Sequence, residues 1–213
     1  GLVCVTISET GLCSLLDYGH LIAVLVGCMI VVALVINPLI VFINIRQNPY
    51  PLVFKCLKDS GIMAFFTRSS AANIPVNMSL CERLGLDEKQ YSVSIPLGAT
   101  INMDGTSIMQ GVAVIFIAQV YGMELTPTQL LTVIATAMIA SIGTAGIPSV
   151  GLIMLAMVLT SVGLPTEGIA IIMGIDRILD MLRTDVNITG DAVCTHIVSS
   201  QNKELDRSIF NRD

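Results

Sequence analysis

The fold class this sequence predicts is an all-α membrane protein: an inverted repeat of two re-entrant helical hairpins and interrupted transmembrane helices. Three observations predict it: few charges, one long stretch with none, and backbone-breaking polar motifs in the middle of apolar segments. Of 213 residues, 54% are apolar and 13% charged, against ~45–50% and ~25% in an average soluble domain. Mean hydropathy is +0.80. Residues 125–166 run for 42 positions without Asp, Glu, Lys or Arg, whereas one bilayer span takes only ~20 apolar residues. A net charge of −5, no basic patch and no Trp exclude a nucleic-acid partner. The six cysteines (Cys4, Cys13, Cys28, Cys56, Cys81, Cys194) contain no C-x-x-C pair, and several sit in apolar segments. They read as reduced packing residues rather than a disulfide scaffold or metal ligands.

The elements follow in order. Gly1–Ile7 is apolar, with no basic leader before it. Residues 1–16 are therefore expected to be the end of a preceding scaffold helix and loop, in the C-terminal part of a longer protein. Residues 17–58 read as a transmembrane helix and a cytoplasmic connection. Leu21–Ile45 is 25 residues without a charge, and Arg46–Lys58 is polar and carries Pro49 and Pro51. Residues 59–123 read as the first re-entrant hairpin plus an interrupted helix. The hairpin centre is Thr67-Arg68-Ser69-Ser70-Ala71-Ala72-Asn73-Ile74-Pro75, and Asn102-Met103-Asp104-Gly105-Thr106 interrupts the helix that follows. Residues 124–200 read as the second hairpin and the last span. A single 42-residue helix would be ~63 Å long, about twice the hydrocarbon thickness. Two antiparallel arms around Ser141-Ile142-Gly143-Thr144-Ala145-Gly146-Ile147-Pro148 fit better. Residues 201–213 form a charged cytoplasmic tail.

Basic residues set the topology. If both hairpins return to their own side, Arg46, Lys55, Lys58, Arg83, Lys89, Lys203, Arg207 and Arg212 all fall on one face. The turns near Glu124 and Glu167 on the other face have no Lys or Arg. Threading either hairpin straight through breaks that partition, so the C-terminus is placed in the cytoplasm. The repeat supports this. One hairpin centre ends Ile74-Pro75 and the other Ile147-Pro148; the spans after them carry Asn102-x-Asp104-Gly105-Thr106 and Asn187-x-Thr189-Gly190-Asp191. Unwound backbone at membrane depth is tolerated where it lines a cavity or binds something.

The last span holds the chemistry. Asp176, Asp180, Arg183, Thr184, Asn187 and Asp191 fall within an arc of ~100° on one helix face. A self-satisfied network, Asp180 with Arg183 and Asp176 with Arg177, is the bland reading. Four charges cost ~2.5–3.5 kcal/mol each at membrane depth, which argues for binding instead. A carboxylate such as Asp180 pairs with an ammonium, and Arg183 holds a carboxylate in bidentate fashion. With Thr184 and Asn187 this set describes an amino acid, and Arg183 favours an acidic one. The backbone amides of Ser70 and of the 145–148 tip are candidates for its α-carboxylate. Asp104, Asp191, Asn102 and Asn187, with carbonyls freed around Gly98–Met103, are hard oxygen ligands suited to Na⁺. Proton coupling through Asp104 or Asp191 is the rival reading. Asp185 lies near the opposite side of this helix and is left without a role.

Thr67-Arg68-Ser69-Ser70, Gly98 through Thr106, Ser141 through Pro148 and Asp176 through Asp191 together resemble the dicarboxylate/amino acid:cation symporter family. This is the family of the glutamate transporters and their prokaryotic homologues. The resemblance covers essentially the whole chain, as the family's C-terminal half. It implies a glutamate-transporter-like transport core in the cell membrane and a secondary active Na⁺-coupled symporter with no organic cofactor. It also implies an elevator movement of this core against a homotrimeric N-terminal scaffold.

Carried over by position, Ser70, Thr106, Ile147, Asp180, Arg183, Thr184 and Asn187 are the implied substrate contacts. Asp180 takes the amino group and Arg183 the side-chain carboxylate. One implied sodium site uses Gly98, Asn102, Asn187 and Asp191; another uses Thr100, Met103, Ser141, Ile142 and Thr144. A third involves Asn102 and Asp104 with residues upstream of Gly1. Aspartate or glutamate is the expected substrate. The tip Ser69-Ser70-Ala71-Ala72-Asn73 looks like the serine/threonine-transporting branch, which makes a neutral amino acid the alternative, beside a proton-coupled dicarboxylate or amino-acid symporter. A membrane aspartyl protease also needs intramembrane Asp pairs, but its G-x-G-D context is absent: Asp176 follows Gly174-Ile175, and Asp191 follows Thr189-Gly190. A pure channel needs no Asp180/Arg183 clamp. No enzymatic activity is expected.

Overall fold

A computed structural model describes the backbone of residues 13–203 and the side chains of residues 18–203. Most of the expected scaffold segment 1–16, the tail beyond 203 with Arg207 and Arg212, and the side chains of Cys4 and Cys13 lie outside the described residues. Every regular element among the described residues is helical.

Helix α1 (Cys13–Val31) passes through a π turn (Val32–Ile36) into α2 (Asn37–Ile45). Pro38 explains the turn. Its ring crowds the carbonyl four residues back, and the wider closure from Asn37 N–H to Val32 O makes room for it. Only 46–49 then lie outside a helix. Helix α3 (Tyr50–Cys56), a second π turn (Leu57–Gly61) and α4 (Ile62–Thr67) form one continuous arm. This corrects the expected polar connection Arg46–Lys58, of which the part from Tyr50 onward is helical. Pro49 is the N-cap and Pro51 sits in the first turn, where a missing N–H costs nothing and the fixed φ favours the helix.

The chain breaks at Arg68-Ser69 and returns as α5 (Ser70–Arg83). Arg68 takes a left-handed φ of 53°, and the extended Ser69 caps α5 by accepting from Ala72 N–H. Polar bonds cross between the two arms: Asn73 Nδ2 donates to Ser60 Oγ at 2.8 Å, and Ser60 Oγ to Asn77 Oδ1. Ile74-Pro75 lies inside α5, whereas Ile147-Pro148 precedes its helix, so the two Ile-Pro pairs are not equivalent positions. The Ser69 cap starts α5 well before Pro75.

Helices α6 (Glu88–Ile101) and α7 (Asp104–Val120) flank a break at Asn102-Met103. The 42-residue stretch without charge contains α8 (Pro127–Ile142) and α9 (Val150–Ser161), joined by 143–149. These helices of 16 and 12 residues measure ~24 and ~18 Å, short of the ~30 Å hydrocarbon core. Thr126 and Gln129 make a capping box that starts α8. Bonds from Gln129 Nε2 to Val162 O (3.3 Å) and between the hydroxyls of Thr136 and Ser161 (3.3 Å) hold its arms together. A 3₁₀ turn (Thr166–Gly168) and α10 (Ile169–Met173) lead to α11 (Asp176–Asn202). Tyr18–Ile45 and Glu88–Val120 are long and apolar enough to cross a membrane.

The expected interruption of the last span at Asn187–Asp191 is not there. Helix α11 runs unbroken for 27 residues, and the break lies earlier, at Gly174-Ile175. Helix α11 passes through the middle of the molecule, packs against both arms of the first hairpin and the long helices, and meets the second hairpin at its tip, through Ser149 and Gly151. Leu179 and Val186 join a core formed by α1, α7, α8 and α9, while Ala192, Val193 and Ile197 join a second core formed by α2, α3, α5 and α6. Asp180 through Asp191 occupy the stretch between and beside these cores, which sets the polar stripe in the interior.

Candidate functional site

All six stripe residues are buried: none of Asp176, Asp180, Arg183, Thr184, Asn187 and Asp191 exceeds 4% exposure. What surrounds them is the meeting of the two hairpin tips. Gly146 O accepts from Ala71 N–H at 3.0 Å and from Ser69 Oγ at 2.8 Å. A Cβ at Gly146 would stand 3.0 Å from Ser70 Cβ and 3.1 Å from Ala99 O. Only glycine lets the second tip press this closely against the first tip and α6.

The tips close a cavity of about 10 Å³, room for one water at most. All seven sequence-proposed substrate residues line it: Ser70, Thr106, Ile147, Asp180, Arg183, Thr184 and Asn187. Arg183 Nε donates to Asp180 Oδ1 at 2.9 Å, and Nη2 donates to the same oxygen at 2.5 Å. Asp180 Oδ2 accepts from Ser149 N–H at 3.1 Å and faces Arg68 Nη1 at 3.7 Å. Arg183 Nη1 is buried without a partner. It presses on the first turn of α9, where a Cβ at Gly151 would overlap the guanidinium. The proposed internal network is therefore half present: Asp180 pairs with Arg183, while Arg177 is exposed and Asp176 Oδ1 has no partner.

Sequence reasoning left Arg68 without an assignment, although an Arg in an apolar hairpin was the signal. It missed Ser149 because a backbone N–H leaves no trace in a residue pattern. Arg68 and Ser149 are both left-handed, with φ of 53° and 64°, a conformation that non-glycine residues hold at some cost. Of the tip amides named as carboxylate receivers, Ile147 N–H is taken by Ala145 O.

Asn102-Met103 lies beside α11. Asn187 Oδ1 accepts from Gly105 N–H at 2.7 Å, and Asn187 Nδ2 donates to Thr106 Oγ1 and Met103 Sδ, each at 3.2 Å. Asn102 Nδ2 donates to Asp191 Oδ1 at 2.9 Å and toward Asn187 O at 3.4 Å. Gly98 faces Asp191, whose Oδ1 lies 2.6 Å from where a Cβ would stand. Asp191 Oδ2 is buried with no partner. The proposed set Gly98, Asn102, Asn187 and Asp191 is thus gathered in one place, with an amide oxygen, carbonyls and a free carboxylate oxygen, the donors a hard cation takes.

The second proposed set is spread out. Met103, Asp104, Ser141 and Ile142 line a cavity of about 410 Å³ with Ser107, and Ser107 and Ser141 share a hydroxyl bond of 2.8 Å. Thr144 instead faces the small cavity, with its hydroxyl on Ala140 O at 2.8 Å. Thr100 is exposed, and its hydroxyl bonds Leu97 O at 2.9 Å.

Cys56 and Cys81 pack in the second core as expected for reduced cysteines, whereas Cys194 is exposed. The helical bundle thus closes two hairpin tips over a buried Asp–Arg pair, beside a broken helix capped by the last one. A model of the sodium:dicarboxylate symporter family matches residues 1–201, and the chain belongs to that family.

Proposed function

We propose that this symporter couples Na⁺ to the uptake of an acidic amino acid, aspartate or glutamate. One observation carries the reading: Arg183 Nη1 is a buried donor without a partner, on a guanidinium whose other edge holds Asp180. A substrate ammonium would take Asp180, and a side-chain carboxylate would take the freed fork of Arg183. Arg68 beside Asp180 adds positive charge, which a second substrate carboxylate matches and a zwitterion does not. Ser70, Thr106, Ile147, Thr184 and Asn187 complete the contacts.

The set around Asp191, with Gly98, Asn102 and Asn187, is assigned to one Na⁺; Thr100, Met103, Ser141, Ile142 and Thr144 to another; Asp104 with Asn102 to a third. Opening the tip contact at Gly146 admits the solute, and movement of the core against a trimeric scaffold carries it across. Arms of ~24 and ~18 Å support a re-entrant second hairpin, and the pattern of basic residues supports a cytoplasmic C-terminal end for α11.

Full-length protein in liposomes, given labelled aspartate, glutamate or serine with and without a Na⁺ gradient, tests this. Concentrative uptake of the acidic substrates that needs inward Na⁺ is expected. Uptake indifferent to Na⁺ removes the coupling, and serine taken up as well as aspartate moves the substrate to the neutral class. Arg183→Cys is expected to weaken acidic substrates at least tenfold and spare neutral ones; equal loss of both would make Arg183 structural.

A further inference from the structure

Asp185 is a carboxylate of α11 that the proposed transport site does not use, and it points away from that site toward the first hairpin. Its Oδ1 lies over the α-carbon of Gly61, in the space that a Cβ would fill. Thr189, one turn further along the same face, brings Oγ1 within 3.4 Å of that same Cβ position. Asp185 and Thr189 face each other, neither Asp185 Oδ1 nor Thr189 Oγ1 makes a hydrogen bond of good geometry, and Thr189 is 0% exposed.

On α5, Asn73, which bonds Ser60 beside Gly61, is also 0% exposed. Its amide nitrogen is spent on Ser60 Oγ and Ser60 O (2.8 and 3.4 Å), and its Oδ1 is left unpartnered. Asn77 fastens this cluster to α11 through Ile188 O at 3.0 Å. Ser60 and Gly61 belong to the π turn, where Ile62 N–H reaches five residues back to Leu57 O. Such turns disturb the regular carbonyl ladder and recur at functional sites.

An ionisable group at membrane depth needs a partner, and Asp185 has no ion pair among the described residues. Lys58 of the same turn is exposed, and Arg83 is engaged with Asp59 at 3.1 Å. One carboxylate, one hydroxyl and one amide oxygen, all hard and none bonded outside the cluster, suit a single monovalent cation better than a divalent one. We propose that Asp185, Thr189 and Asn73 form an alkali-cation site between the first hairpin and α11, separate from the set around Asp191. The site stands on these contacts alone; only its use in coupling rests on the transport reading above.

Equilibrium binding of ²²Na⁺, and of ⁸⁶Rb⁺ as a potassium surrogate, to the purified full-length protein tests it. Asp185→Asn is expected to lower the bound alkali cation by one per protomer, and Asp191→Asn to remove a different one, with the double variant losing both. The isotope that is lost identifies the ion. Thr189→Val, nearly isosteric and uncharged, is expected to weaken the same site about tenfold, which guards against misfolding of the first variant. An unchanged count in Asp185→Asn together with unchanged affinity in Thr189→Val overturns the proposal. Failure of amino-acid uptake with the lost ion still observed would refute the transport reading and leave the site standing.

Discussion

Asn102-Met103-Asp104-Gly105 and Asn187-Ile188-Thr189-Gly190 are similar in sequence and opposite in structure. The first breaks its helix, with Asn102 at φ −85°, ψ 83° and Met103 at φ −117°, ψ 49°. The second sits in an unbroken helix. The difference is a division of labour. The break exposes backbone that needs partners, and the intact helix supplies them through Asn187, on Gly105 N–H, and through Asp191, on Asn102. Were both segments broken, neither would be rigid enough to cap the other.

The two glycines show the same asymmetry. A Cβ at Gly105 would stand 2.6 Å from Arg183 O and 2.8 Å from Arg183 Cα, both backbone. At Gly190 it would meet Asn102 Nδ2 at 2.8 Å, the end of a side chain that can turn aside.

Gly105→Ala therefore has the largest expected effect. It forces α7 away from α11 and is expected to cost about 3 kcal/mol, lowering the thermal midpoint of the purified protein and abolishing uptake. A near-normal midpoint would show that the two helices are not held this close.

Asn187→Ala comes next. Gly105 N–H would be left buried without its acceptor, at about 2 kcal/mol, and the proposed cation set would lose one member. A drop in melting temperature with intact Na⁺ dependence would make Asn187 a cap only.

Gly190→Ala is expected to cost less than about 1 kcal/mol, because only Asn102 has to move. Its mark should be a several-fold rise in the Na⁺ concentration needed for uptake, through the Asn102–Asp191 contact. A stability loss equal to that of Gly105→Ala would erase the asymmetry between the motifs.

Much of this was legible in sequence because the signals were periodic or compositional. The six-residue stripe on α11 follows from its spacing, and burial of that face follows from the cost of charge in an apolar setting. The stretch 125–166 had to fold back because it is too long for one span. Pro49 and Pro51 misled because a proline that ends one helix and one that begins the next look alike in sequence. Ile74-Pro75 misled because a serine cap upstream outweighs a proline inside the helix. The Asn187–Gly190 motif misled because glycine marks either a bend or a close approach, and only the neighbour tells which.

By itself, then, the sequence determined that this chain is a helical membrane protein, which helix bears the charges, and where two hairpins turn. Those properties depend on the local order of apolar and polar residues. Tertiary structure alone decided which of two matching motifs breaks, that Arg68 and Ser149 N–H reach Asp180, and that Asp185 faces Gly61 across an interface. These depend on distances between residues tens of positions apart, which the packing of α11 against the first hairpin and its contact with the tip of the second set.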